Sequence, residues 1–504
     1  MAAEAPRGVT RKLNGLASPG RGFAATRRRL LMTGASLILG TQAAAAATPA
    51  VPSERPNIVF IMADNLGWGE LGVYGGGALR GAPTPRLDAF AAQGMRLQNF
   101  NVEVSCAPSR AALMTGRFGV RTGNNRSGET GKRHGLVRWE VTTAQLMSQQ
   151  GYATALYGKW DLGDEPGRYP NDRGFDEWYG IPRSSNEAMN RQSPGYDPAV
   201  TQLEHILEGR KGEPTWIVKE FDLEARREID TELTRRTVGF IKRQAAAKRP
   251  FYAYVPLTQV HYPTLPGRAF DGRTGNGSFA DAVAETDHHV GEILDAIDQA
   301  GVARNTIVVF CSDNGAESRR PWQGSSGVWS GYYRSAREGS LRTPFLIRWP
   351  GRIAPGVNNE IVHIIDVAPT LARIAGAAMP TDRPIDGVDQ LDFFLGKQAR
   401  SNREGFPIFQ VGEPTAVKWR NWKYYFVLRE NSDTPPVRLD KPILYNVQWD
   451  PKEETPRNVE MEDAWVLPKL RSLRDEVMAS LAAYPPVAPG APDPYTPPWL
   501  QIGR

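Results

Sequence analysis

A chain of 504 residues, 40% hydrophobic and 23% charged, is long enough to bury one large core with a smaller domain beside it, and neither disorder nor a fibrous fold fits it. The formal charge of +6 is confined to residues 1–47, where seven Lys/Arg outnumber the single acid Glu4; the remainder is neutral, and no nucleic-acid partner is expected. Two cysteines, Cys106 and Cys311, give neither a zinc-finger spacing nor a disulfide framework.

In chain order, Thr26-Arg27-Arg28-Arg29-Leu30-Leu31-Met32 precedes a brief apolar run and the small residues Ala43–Ala47. This leader resembles a twin-arginine export signal, which implies the twin-arginine export machinery as a partner and a periplasmic or secreted location. The apolar run is too short and too interrupted by Gly and Thr for stable membrane insertion.

Residues 57–63 form an apolar run that ends at Asp64-Asn65-Leu66-Gly67, the pattern of a central strand delivering polar groups at its C-terminal end. Residues 74–86 are Gly/Pro-rich loop, and 87–94 a short helix. Cys106-Ala107-Pro108-Ser109-Arg110 opens a further helix: Pro108 suits a first helical turn and Gly116 a stop. Cys106 then lies where free N–H groups favour an anion, with Arg110 one turn on. Residues 142–150 read as helix and 152–157 as a strand ending in Gly158-Lys159-Trp160-Asp161. The Pro/Gly/Asn-rich stretch 164–212 reads as an irregular rim or lid that shapes specificity.

Helical spacing returns at 229–247 and 282–300, and strands are predicted at 251–256, just before His261, and at 307–311, just before Asp313-Asn314. Cys311 ends the latter run as a buried strand residue. Residues 316–343 are mostly loop, 345–349 a strand and 365–376 a helix closed by glycine. This alternation predicts a largely parallel, helix-covered sheet over 55–395. Residues 396–504 carry short antiparallel strands at 408–411, 416–419, 423–428 and 443–447 and a helix at 468–482, a smaller α+β domain with a proline-rich tail.

Asp64, Asn65, Asp313 and Asn314 each follow a predicted strand; if those strands are neighbours, four oxygen donors converge, as calcium or magnesium would need. Such pairs also build turns and helix caps. Arg110 and Lys159 suit the stabilisation of an oxyanion, and His261 the protonation of a leaving oxygen, although each has an ordinary structural role open to it.

Taken together, Cys106-x-Pro108-Ser109-Arg110 with Thr115-Gly116-Arg117, Gly151-Tyr152-x-Thr154 with Gly158-Lys159-Trp160, Asp64-Asn65-Leu66-Gly67, Asp313-Asn314-Gly315, and Glu338-Gly339 with Arg342-x-Pro344 resemble the sulfatase family. Leu444-Tyr445-Asn446 and Asp450-Pro451 extend the likeness to roughly residue 460. The resemblance implies an alkaline-phosphatase-like α/β fold: a large mostly parallel or mixed sheet covered by helices, with the smaller C-terminal antiparallel sheet. It also implies arylsulfatase-like hydrolysis of a sulfate monoester, aryl or carbohydrate, to an alcohol or phenol and sulfate. A maturing enzyme would oxidise Cys106 to formylglycine, whose hydrate attacks sulfur with one hydroxyl and expels sulfate with the other. Asp64, Asn65, Asp313, Asn314 and the modified residue 106 would hold Ca2+, in preference to Mg2+; Arg110 and Lys159 would offset sulfuryl charge, and His261 would assist leaving-group departure.

Three positions depart from the family pattern. Asn65 stands where a second aspartate is common, Asp161 where a histidine is usual, and the lysine expected shortly before Glu338 is missing, Arg334 and Arg337 being the nearest cations for substrate binding. Asp161 is then the residue left to act as base. Two other readings compete with sulfate-ester hydrolysis: phosphomonoester or phosphonate monoester hydrolysis, and sulfated-glycan binding without catalysis.

Overall fold

The computed structural model describes residues 55–128, 131–457 and 462–501, so the expected export leader lies outside the described residues. Strand β1 (Asn57–Ala63) is buried at every position. Its side chains alternate between two cores, Ile58, Phe60 and Met62 on one face and Val59, Ile61 and Ala63 on the other, which is why its sequence is continuously apolar.

The strands that follow are β2 (Met95–Leu97), β3 (Phe100–Asn101), β4 (Ala153–Lys159), β5 (Glu177–Ile181), β6 (His205–Arg210), β7 (Trp216–Glu220) and β8 (Phe251–Pro256). After them come β9 (Thr306–Ser312), β10 (Phe345–Arg348), β11 (Gly356–Asn358) and β12 (Val362–His363). All but β3 and β12, which pair with each other, join a ten-stranded sheet in the order β11-β2-β10-β9-β1-β8-β4-β5-β6-β7. The middle strands β9, β1, β8, β4 and β5 are parallel, while β10 and β6 flank them in the opposite sense. The C-terminal ends of β9, β1, β8 and β4 therefore lie side by side, and the residues that follow them meet at one sheet edge.

Helices cover both faces: α1 (Pro85–Ala92), α2 (Cys106–Thr115), α3 (Thr143–Gln149), α4 (Leu223–Ala246), α5 (Ser278–Gln299), the one-turn α6 (Glu338–Leu341) and α7 (Val367–Ala375). Leu113, Met147 and Leu371 from α2, α3 and α7 enter the first core; Leu233, Phe240, Val290 and Ile293 from α4 and α5 enter the second. Each such side chain, fully buried, contributes roughly 1.5–3 kcal/mol. Among the described residues no helix is long and apolar enough to cross a membrane.

Residues 164–212 are more ordered than their composition predicts, because β5 and β6 extend the main sheet through them. Gly180 interrupts the apolar run of β5 where a Cβ would lie 1.9 Å from the Gly158 carbonyl oxygen, so packing of neighbouring backbones, rather than a turn, selects glycine. The strand predicted at 345–349 is present but runs antiparallel to β9, making the sheet mixed.

The C-terminal strands β13 (Gly405–Gln410), β14 (Glu413–Trp419), β15 (Trp422–Leu428) and β16 (Val437–Asn446) form an antiparallel meander. One face packs on Leu467 and Leu470 of the helix Leu467–Ala483, while Phe406, Ile408, Ala416 and Tyr425 join the first core of the large sheet. Lys418 of β14 and Lys423 of β15, both fully buried, reach Glu338 of α6 at 2.6 and 3.2 Å. Arg342 meets the same carboxylate at 2.5 Å, so three cations converge on one buried acid between the small sheet and the large one.

Candidate active site

The sheet edge gathers what the sequence scattered. β1 delivers Asp64 and Asn65, β9 delivers Asp313 and Asn314, β4 ends in Lys159, and His261 follows β8. Pairing of Ala63 with Ser312 sets the two Asp-Asn pairs side by side. Asn65 and Asp161 adopt left-handed backbone, φ 61° and 57°, which places sharp turns directly at two strand ends; Asn and Asp tolerate this better than other non-glycine residues.

Cys106 begins α2, 1% exposed, with Sγ 3.7 Å from Asp64 Oδ1 and 3.8 Å from Asn65 Oδ1. Ser105, extended, precedes it, and Gly116 closes the helix at φ 70°, as the sequence predicts. Burial holds the Cys106 thiol well above its ordinary pKa, with the carboxylates of Asp313 and Asp64 adding to the effect and Lys159 opposing it. Sγ occupies the place where the oxygens of a converted side chain would stand.

Arg110 is fully buried and directs Nε and Nη2 to Asp313 Oδ2 at 3.0 and 2.8 Å, while Nη1 donates to the Lys159 carbonyl at 2.7 Å. Lys159 Nζ donates to Asp64 Oδ2 at 2.9 Å and stands 3.9 Å from Asp161 Oδ2. Burial opposes the Lys159 charge, but Asp64 more than restores it, leaving its pKa above the ordinary value. Both cations thus orient carboxylates. Ser127 Oγ donates to Asp161 Oδ2 at 3.3 Å.

His261 is 2% exposed, and burial followed by the Lys159 charge pushes its pKa well below the usual value, so the ring is neutral. Its Nδ1 lies 2.6 Å from the Tyr262 carbonyl oxygen, an acceptor only; Nδ1 therefore carries the proton and Nε2 the lone pair. Nε2 is 3.4 Å from Ser184 Oγ. Donor atoms of Asp64, Cys106 and His261 all lie within 4.8 Å of one another.

The four oxygen-bearing residues fit a hard cation: two carboxylates and two amides, all fully buried, with Asn314 Oδ1 lacking any hydrogen-bond partner. Asn314 Nδ2 donates to Asn65 Oδ1 at 2.6 Å, so a turn of the amide would bring a second amide oxygen into the cluster.

Arg334 and Arg337 both line the cleft above this cluster but are engaged elsewhere. Arg334 pairs with Asp433 at 2.7 Å, and Arg337 Nη1 donates to the Glu453 carbonyl at 3.1 Å. Tyr333, which nothing in the sequence singles out, places its hydroxyl 3.5 Å from Cys106 Sγ. Its only sequence signal is its position next to Arg334, in the segment that lacks the lysine expected before Glu338. The cleft has a volume of about 1460 Å³ and is walled by Ser184, Tyr262, Arg319, Tyr332, Tyr425 and Arg429 among others. Tyr262 stacks on His261 at 4.8 Å between ring centroids and carries the Arg319 guanidinium 4.1 Å above its ring.

Comparison with known proteins places the chain in a family. The sulfatase family profile matches residues 56–377. Human arylsulfatase A is 36% identical over 426 residues, 79% of this chain and 82% of its own length. The N-acetylgalactosamine-6-sulfatase of Canis lupus familiaris is 35% identical over 79% of this chain and 77% of its own. The crystal structure of a sulfatase from Pseudoalteromonas sp. superposes with a TM-score of 0.81 at 30% identity, covering 86% of this chain and 92% of that one. With its Cys-x-Pro-Ser-Arg segment, buried Asp/Cys/His cluster and helix-covered mixed sheet, the chain belongs to the sulfatase family.

Proposed function

We propose that this hydrolase acts on the sulfate monoesters of carbohydrates, through a formylglycine at position 106 and a calcium ion held by Asp64, Asn65, Asp313 and Asn314. The size of the cleft carries the preference for a sugar: about 1460 Å³ exceeds the ~300–1,000 Å³ of sites that enclose one compact ligand, and its walls are mostly hydroxyls, amides and charged groups. An aryl sulfate would fill only its floor. The likeness to the N-acetylgalactosamine-6-sulfatase supports the same class. Calcium is favoured over magnesium because the donors are numerous and include amides, whereas magnesium keeps more of its water.

The Cys106-derived side chain would supply the nucleophile for sulfur, and a cation held by Asp64, Asn65, Asp313 and Asn314 would supply charge neutralisation at the sulfuryl oxygens. The other residues prepare the ground. Arg110 fixes Asp313 and Lys159 fixes Asp64, so both carboxylates are oriented by a buried cation in a water-poor pocket. His261 presents a proton acceptor at Nε2 beside residue 106, and a proton taken there from the attacking hydroxyl of the converted residue would be the one passed to the departing oxygen. Asp161, held by Ser127, is the second candidate base. Conversion of Cys106 requires a sulfatase-maturing enzyme, and the leader sequence supports twin-arginine export to the periplasm or beyond.

Intact-peptide mass spectrometry around residue 106, metal analysis, and turnover of sulfated mono- and oligosaccharides beside 4-nitrophenyl sulfate test this reading together. The expected result is formylglycine, one calcium per chain and a higher kcat/KM on sugar sulfates. Converted, calcium-loaded protein that retains sulfated glycans without hydrolysing them, or prefers the aryl ester, overturns it.

A further inference from the structure

The segment that supplies Tyr333 is built to turn a hydroxyl toward residue 106 with a paired cation behind it. Tyr333 N–H donates to the Ala316 carbonyl at 2.8 Å, and Arg334 N–H donates to the Val104 carbonyl at 2.9 Å, two residues before Cys106. The Arg334 carbonyl accepts from Gln410 Nε2 and Ser432 Oγ at 2.9 and 3.2 Å. Arg334 itself sits at φ 69°, a left-handed conformation that is costly for a long side chain and persists only because these bonds enforce it. The consequence is that the Tyr333 hydroxyl meets Cys106 Sγ, while the Arg334 guanidinium stays 5.0 Å from the Tyr333 ring centroid and is held there by Asp433 at 2.7 Å.

The charge around residue 106 gives that choice a meaning. The ionic groups in mutual contact are the cations Arg110 and Lys159 and the carboxylates of Asp64, Asp313 and Asp161, a net charge of −1. One divalent ion on the Asp-Asn pairs would bring this to +1; His261 and Tyr333 are neutral, and Arg334 beside the Tyr333 ring is offset by its partner Asp433. A sulfate monoester carries one negative charge and matches it; a phosphate monoester above about pH 7 carries nearly two and leaves one uncompensated in a buried site.

We propose that Tyr333 is a substrate-binding residue that donates its hydroxyl proton in a hydrogen bond to a sulfuryl oxygen, and that as a neutral donor it sets the specificity of the site for singly charged esters over doubly charged ones. This rests on the sulfatase reading above and adds to it the residue that separates sulfate from phosphate. A phosphonate monoester, also a monoanion, groups with sulfate.

Calorimetric binding to calcium-loaded, full-length Cys106→Ala protein at about pH 8 isolates recognition from turnover, with 4-nitrophenyl sulfate, 4-nitrophenyl phosphate and a phenyl phosphonate monoester as probes. The sulfate and phosphonate should bind at least ~10-fold more tightly than the phosphate. Tyr333→Phe should weaken the two monoanions by ~5–10-fold, the loss of one hydrogen bond. Tyr333→Lys should bring the phosphate level with the sulfate or above it, and Tyr333→Gln, a neutral donor that serves if the lysine variant fails to fold, should keep the parent order. Equal affinity of Tyr333→Phe and parent for the sulfate, or parent protein that binds phosphate as tightly as sulfate, overturns the proposal. Because binding is read on unreactive protein, failure of the converted enzyme to hydrolyse sulfate esters would count against the function and not against the role of Tyr333.

Discussion

Gly158 shows how closely the backbone is drawn in behind the site. At φ 143°, one residue before Lys159, its Cβ would lie 1.8 Å from the Pro256 carbonyl oxygen, so no side chain fits without prising β4 from β8. Gly158→Ala should lower stability by about 3 kcal/mol or more and displace Lys159 from Asp64, read as a fall in Tm together with a loss of turnover. Asp313→Asn removes the partner of a fully buried arginine. It should cost about 3–5 kcal/mol even with calcium chelated, and denaturant unfolding in chelator separates this from lost metal binding. At this scale the sequence is informative wherever a residue type has few structural uses. Cys106 before Pro108 and the two Asp-Asn pairs stand out on chemistry. Tyr333 does not, because a tyrosine in an aromatic-rich loop has many ordinary places to go and only the turn at Arg334 aims it.

Among elements, the strands are legible where both faces are buried. β1, β8 and β9 read directly from unbroken apolar runs, whereas β5, with Gly180 and a polar first residue, and β6, with Glu208 and Gly209, are hidden inside a turn-rich composition. Helices α4 and α5 do more than cover the sheet. Arg226 and Asp230 of α4, and Glu285 of α5 through Gln259, grip the segment that carries His261: Arg226 Nη2 donates to the His261 carbonyl at 2.8 Å, and Gln259 Nε2 to Glu285 Oε2 at 2.9 Å. His289 closes this network beside Glu285. Burial opposes its charge, but the carboxylates of Glu285, 3.5 Å from Nε2, and Glu292, 3.3 Å from Nδ1, win and raise its pKa from 6.5 to about 9. Since the folded chain holds that proton more tightly than the unfolded one, the contribution is complete below about pH 6.5 and fades as pH rises toward 9. Unfolding free energy should fall across this window by on the order of 2 kcal/mol, and His289→Gln should flatten that slope.

Over the whole molecule, the small sheet is held to the large one through charge as well as through apolar packing. Lys418, Lys423 and Arg342 share Glu338, and Glu453 takes Lys423 at 3.4 Å, an arrangement invisible in the sequence because its members lie on three separate segments. Glu338→Gln leaves buried cations without their counter-ion and should destabilise by about 3–5 kcal/mol, with Tm falling and the cleft wall built from both sheets loosening, so that KM for an oligosaccharide rises more than kcat falls. The fold class itself is legible, since repeated strand–helix alternation leaves little besides a helix-covered sheet; the order of strands is not, because that depends on pairings across long stretches of chain.

Those long-range pairings impose a timetable. β1 lies between β8 and β9, so the pocket around Cys106 has no second wall until residues beyond Ser312 have been made. At about 5–20 residues per second, synthesis leaves on the order of ten to forty seconds between the appearance of Cys106 and that of β9. During this interval the thiol, 1% exposed once the chain has closed, would be open to the maturing enzyme that the proposed formylglycine requires. Ribosome-bound chains halted before β9 should accept oxidation at Cys106 and chains released and folded with the cysteine intact should refuse it, as mass spectrometry of each population would show.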